Sequence, residues 1–277
     1  MTFPPLLHGL FDDAALFPPG NAPMPEAVAG QLALESAWYA DLVGRFICPA
    51  GRLAELNAEL GRAGAGRPLR VSVTVPDGLD ALAEAVRTAR SLPAIELLSV
   101  ELPVPVELPA NAVPTLAELV ADGVGVFAEL PAAELTPTVA GRLAETGIAL
   151  KLRTGGTTQA AFPSPQALAE AVWTAVAAQL PFKCTAGLHH AVRHTDPATG
   201  LIHHGFLNVL LAVAAAQAGT DPVEQLVIED PDIVAKRTGA LSTAEVTAIR
   251  GQLRSIGTCS VAEPLADLQL LGLVGAR

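Results

Sequence analysis

Lysine is what this chain most conspicuously lacks: three residues, Lys151, Lys183 and Lys236, against fourteen arginines. A sequence that uses arginine so freely keeps lysine where a guanidinium, which never loses its proton, cannot substitute. Cysteine is almost as scarce. Cys48, Cys184 and Cys259 lie far apart with no CxxC spacing, which excludes a disulfide framework and reads as buried thiols in a reducing compartment. Only 16% of the 277 residues are charged, and the net charge is -11. That deficit of positive charge excludes a nucleic-acid backbone or an anionic membrane surface as partner. No apolar run reaches the length of a membrane span, LNVLLAVAAAQAG from Leu207 included. The N-terminus has neither the basic nor the apolar region of a signal peptide. The expectation is a soluble cytoplasmic protein. With no internal duplication and no low-complexity linker, residues 1–277 read as one domain.

What is present is a regular alternation. Short apolar runs appear at RFICPA (45–50), RVSVTVP (70–76), IELLSVELP (95–103) and GVGVFAELP (123–131). They continue at GIALKLRTGG (147–156), PFKCTAGLHH (181–190), EQLVIED (224–230) and SIGTCS (255–260). Between them lie alanine- and leucine-rich stretches of helical period, such as 53–63, 78–91, 165–179 and 205–219. Eight strands separated by helices predict an α/β fold, a (β/α)8 TIM barrel. An additional N-terminal helix over 25–44 precedes the first strand, and the proline-rich segment 1–24 is expected to pack on the barrel. An open doubly wound sheet is the rival, but no GxGxxG joins the first strand to its helix.

Alternate strand residues of a barrel point inward. That parity sends Ser72 and Thr74, Ser99 and Glu101, Phe127 and Glu129, Ala149, Lys151 and Arg153, and Lys183 and Thr185 into the barrel. Four consecutive segments therefore end in an inward charge at the strand C-termini, where barrel enzymes build their sites. A ring of neutralising ion pairs is the plainer alternative. It costs more than an apolar core unless every charge finds partners, so the pattern favours a working site.

Lys151 and Lys183 hold equivalent positions on neighbouring segments, in KLRTGG and KCTAG. A lysine desolvated beside another cation has a depressed pKa and acts as a nucleophilic amine at neutral pH. A lysine-threonine-glycine strand end, a helix opened by a proline-serine-proline loop, and a second strand with lysine and glycine resemble the class I aldolases of the deoxyribose-phosphate aldolase type. The resemblance covers about 40 residues. It implies Lys151 as the Schiff-base lysine and Lys183 as the partner that tunes it. Two features depart from the family: by the count above these lysines fall on strands five and six where the family has six and seven, and the family has no matching histidine cluster.

Five of the six histidines, His189, His190, His194, His203 and His204, fall after the Lys183 strand. Imidazole is the commonest transition-metal ligand, and His189, His190 and Glu129 form a candidate divalent-metal set, although HExxH is absent. Without a metal, the same histidines can bind anions or move protons. The turn Thr154-Gly155-Gly156, continuing through Thr157 and Thr158, offers N–H groups and hydroxyls to an oxyanion beside Arg153. Asp12 and Asp13 read either as part of a segment packed over one end of the barrel or as acids that reach the site. Glu263 reads first as a helix-opening acid before Pro264, with the mouth as the alternative.

Three activities fit. The first is a cofactor-free lyase acting through Lys151 or Lys183 on a small anionic carbonyl compound or sugar phosphate. Glu129 or Glu101 moves the proton, while Arg153, Thr154, Gly155, Gly156, Thr185, His189 and His190 hold the substrate. The second is a metal-dependent hydrolase or isomerase, and the third a non-catalytic ligand-binding barrel. A homodimer is expected from so apolar a chain.

Overall fold

The computed structural model describes residues 3–109, 112–156 and 158–275. Eight parallel strands close on themselves: β1 (Phe11–Asp13), β2 (Val43–Pro49), β3 (Leu69–Thr74), β4 (Ile95–Pro103), β5 (Gly125–Leu130), β6 (Ala149–Arg153), β7 (Phe182–Thr185) and β8 (Leu253–Thr258). Phe11 stands opposite both Ile256 and Val43, so β1 seals the ring between β8 and β2. The outward strand residues, among them Val71, Val100, Val126, Leu150, Leu152 and Phe182, join one apolar core with the helices outside. Each such side chain contributes roughly 1.5–3 kcal/mol on burial.

The helices are α1 (Met24–Ser36), α2 (Leu53–Ala63), α3 (Leu79–Ser91), α4 (Ala112–Ala121), α5 (Pro137–Glu145), α6 (Pro165–Ala177), α7 (Phe206–Gln217), α8 (Val223–Leu226), α9 (Pro231–Gly239), α10 (Thr243–Gln252) and α11 (Ala262–Leu270). Local chemistry sets their ends. Thr136, Ser164 and Asp230 accept first-turn N–H groups of α5, α6 and α9, and proline follows each cap. The α7 helix is apolar on nearly every face, because α8, α9 and α10 wrap the side turned away from the barrel. Among the described residues, no helix is long and apolar enough to cross a membrane.

The barrel forms with two of its expected parts exchanged. EQLVIED is not a strand: Val223–Leu226 is a helical turn, and the segment then runs into the cap of α9. Its carbonyls are satisfied by a side chain instead of a ladder, since Asn208 donates to Gln225 O and Ile228 O. The eighth strand is Phe11–Asp13, inside the segment expected to pack on the barrel from outside. The helix expected to be additional consequently follows β1 as the ordinary first helix. It stops at Ser36, and Ala40–Leu42 form a 3-10 turn before β2. This recount moves Lys151 to strand six and Lys183 to strand seven.

Candidate functional site

Lys151 and Lys183 are direct partners across β6 and β7, and Glu129 faces Lys151 across β5 and β6. Strand register alone therefore gathers three of the inward charges at one level. Glu101, from β4, joins the lysines: its Oε1 lies 2.7 Å from Lys183 Nζ and its Oε2 2.9 Å from Lys151 Nζ. Ser72 donates to the same Oε1 at 2.7 Å, and Ser99 donates to Ser72. Lys183 is sealed from solvent and donates also to Asp12 Oδ2 at 2.6 Å. Ser255 donates to that oxygen, and the Arg45 N–H to the other. The ring of Phe127 lies 5.4 Å from Lys183 Nζ. Lys151 reaches further toward the open end, with its side chain 8% exposed and its Nζ 2.9 Å from Glu129 Oε2. Arg153 closes the series, giving two N–H groups to Glu129 Oε1.

Three cations thus meet three carboxylates in one chain of contacts. Burial of Lys183 works to lower its pKa, but Asp12 and Glu101 outweigh it and the pKa is raised. The expectation of a depressed lysine is not met there: Lys183 is a fixed ammonium. Burial works to raise Glu101, yet Lys151 and Lys183 hold it well below the usual carboxylate range. Glu129 is likewise lowered, by Lys151 and Arg153 against its burial. Asp13, next to the cluster's Asp12, goes the other way; burial first, then Asp12, pushes it up to about 6.

The glycine turn expected to hold an oxyanion is committed elsewhere. Thr154 is buried and donates to Ala186 O at 2.6 Å. A Cβ on Gly155 would meet Gly187 at 2.8 Å and the Phe162 ring at 2.9 Å. Gly156 is equally crowded, by Ala161, and Thr157 lies outside the described residues. Thr185 turns toward Gly257, its Oγ1 3.3 Å from where a Cβ there would stand.

The histidines form a wall beside the mouth. His189 Nδ1 donates to Glu263 at 2.9 Å and His190 Nδ1 to Asp267 at 3.1 Å, both on α11. His194 and His203 face each other in a two-strand hairpin, with Nδ1 groups on Val192 O and Gly187 O. The metal set of His189, His190 and Glu129 does not assemble, because the imidazoles turn to α11 while Glu129 stays with Lys151 and Arg153. Among the described residues, no three His, Cys, Asp or Glu side chains converge as a metal shell. Sequence parity missed Asp12, the second anchor of Lys183. Its signal was the apolar flanking of the acidic pair in GLFDDAALF, which is that of a short buried strand.

No family model matches the chain, and no curated protein matches it. Among solved structures, a variant of the carboxyl transferase domain of Rhizobium etli pyruvate carboxylase, solved with pyruvate, matches at 12% identity with a TM-score of 0.45. The match covers 88% of this chain and 48% of that one, so this chain spans about half its length.

Proposed function

We propose that the barrel is a lyase of the aldolase type in which Lys151 forms an imine with a small carbonyl compound. The observation that supports this most is the pairing of two lysines on one buried glutamate, the deeper sealed and the shallower at the open end. Their places on strands six and seven also match those of the Schiff-base and partner lysines in the deoxyribose-phosphate aldolase family, which removes one of the two departures noted from the sequence.

Lys151 first loses a proton to solvent at the open end, since Glu129, held below the usual carboxylate range by Lys151 and Arg153, stays an anion. The neutral amine then adds to the carbonyl carbon, the carbonyl oxygen leaves as water, and a protonated imine remains. For cleavage, a base takes the proton of the β-hydroxyl. The carbon–carbon bond breaks, its electron pair moves into the iminium, and an aldehyde departs to leave an enamine. Protonation of the enamine carbon and hydrolysis restore the lysine. Glu101 is too firmly held as an anion to accept the proton. It acts as a fixed counter-ion to the iminium, while Lys183 maintains positive charge beside it.

Borohydride reduction with glyceraldehyde, followed by mass spectrometry, tests this. A stable adduct on Lys151, absent in Lys151→Met, is expected; an unmodified wild-type chain would sink the mechanism. Because every charge in the cluster is already paired, a non-catalytic binding barrel is the second reading, and glyceraldehyde binding without an adduct selects it.

A further inference from the structure

Positive charge is fully committed at the open end of the barrel. Lys183 lies between Asp12 and Glu101, Lys151 between Glu101 and Glu129, and Arg153 spends two N–H groups on Glu129. The arginines on the connections after β2 and β7 are also paired, Arg52 with Glu55 and Arg193 with Glu229. The backbone cradles that take phosphate in many folds are filled. Gly155 and Gly187 pack on each other and on Phe162. Glu263 stands in the first turn of α11, where free N–H groups would otherwise meet an anion. Asp13 and Asp267 add further acid around the rim.

The histidine wall fits a different ligand chemistry. His194 and His203 give Nδ1–H to backbone carbonyls, and His189 and His190 give it to carboxylates. A neutral imidazole committed in this way carries its lone pair on Nε2. In that form it accepts hydroxyl hydrogens at Nε2.

We infer that the carbonyl compound taken by this site is uncharged and hydroxyl-bearing, and that the site discriminates against its phosphorylated counterpart. The inference rests on the imine reading above and departs from the anionic substrate expected from the sequence. A phosphate group brings between one and two negative charges into a mouth with no unpaired cation among the described residues to meet it. An uncharged polyol aldehyde brings only hydroxyls, for which Nε2 atoms and the outer oxygens of Glu129, Glu263 and Asp267 are acceptors.

The test compares borohydride trapping of wild-type protein by D-glyceraldehyde and by D-glyceraldehyde 3-phosphate at equal concentration near neutral pH, with inorganic phosphate as competitor. Trapping of the uncharged aldehyde is expected to be faster by about tenfold or more, the ratio that corresponds to loss of one good polar contact, and indifferent to phosphate. Faster trapping of the phosphorylated aldehyde, or competition by phosphate, overturns the inference and leaves the imine reading standing. If neither aldehyde marks Lys151, the imine reading fails by itself, and calorimetric titration with glycerol 3-phosphate decides the charge preference. Saturable binding there overturns the inference, and its absence supports it.

Discussion

Glu101 is the residue on which the two lysines depend. Replacing it by glutamine keeps the shape but leaves two ammonium groups with one carboxylate fewer in a buried setting. Glu101→Gln is therefore expected to lose about 3–5 kcal/mol in urea unfolding, the range for removing one partner of a buried ion pair. A loss below about 1 kcal/mol, that of a surface pair, would contradict the charge-balanced network. Asp13 makes the opposite kind of statement. Its pKa rises on folding from 3.8 to about 6, so between those values the folded chain holds a proton that the unfolded chain has lost. Stability from this group is present below pH 4 and falls as pH rises through 6. Asp13→Asn should therefore gain stability at pH 7.5, on the order of 2–3 kcal/mol, and little at pH 4. An equal effect at both values would remove the burial argument. At this scale the sequence was informative where parity applied: Glu101, Glu129, Lys151 and Lys183 are brought together as alternation predicts. It was silent on partners, because Asp12 comes from a strand 171 residues away from Lys183 and no local pattern encodes that distance.

At the scale of elements, the loop between β6 and α6 is latched to the connection after β7. Phe162 packs on the His203 ring with centroids 4.7 Å apart, and His204 Nε2 donates to Pro163 O at 2.8 Å. His204 is buried with its Nδ1 unpartnered, and burial pulls its pKa below 6.5 against the bond to Pro163. The unfolded chain thus takes up a proton first, so the latch is intact above pH 6.5 and weakens as pH falls below it. Hydrogen exchange over residues 158–164 should quicken between pH 7.5 and 5.5 after correction for intrinsic rates, and His204→Gln should flatten that difference. Exchange that is the same at both pH values in the wild type would refute the latch. Gly187 lies at this contact, with φ +75 and the Phe162 ring 3.2 Å from a Cβ position. Gly187→Ala is expected to expose residues 158–164 to protease, and unchanged cleavage would count against it. Helices such as α2 and α3 were legible from their periodicity. The three-residue β1 was not, since its pairing comes from β2 and β8, and EQLVIED showed strand composition that its helical setting overrode.

The whole molecule joins closure of the fold to assembly of the site, because β1 both seals the barrel and carries Asp12 to Lys183. Deleting residues 1–14 should therefore abolish cooperative thermal unfolding followed by circular dichroism. A deletion variant that retained a sharp transition would show that the ring closes without β1. The barrel itself was readable from eight apolar runs in alternation with helices, even though one run was misplaced, because the count and spacing of elements survive a single exchange. The paired state of the charges was not readable, since it depends on side-chain reach across three or four strands. The central claim is that Lys151, alone of the three lysines, is a carbonyl-reactive amine. Peptide mapping after borohydride reduction with glyceraldehyde measures it directly, with exposed Lys236 as the internal reference. The account predicts modification of Lys151 in excess over Lys236, with buried Lys183 untouched. Modification of Lys236 equal to or above that of Lys151 would contradict it.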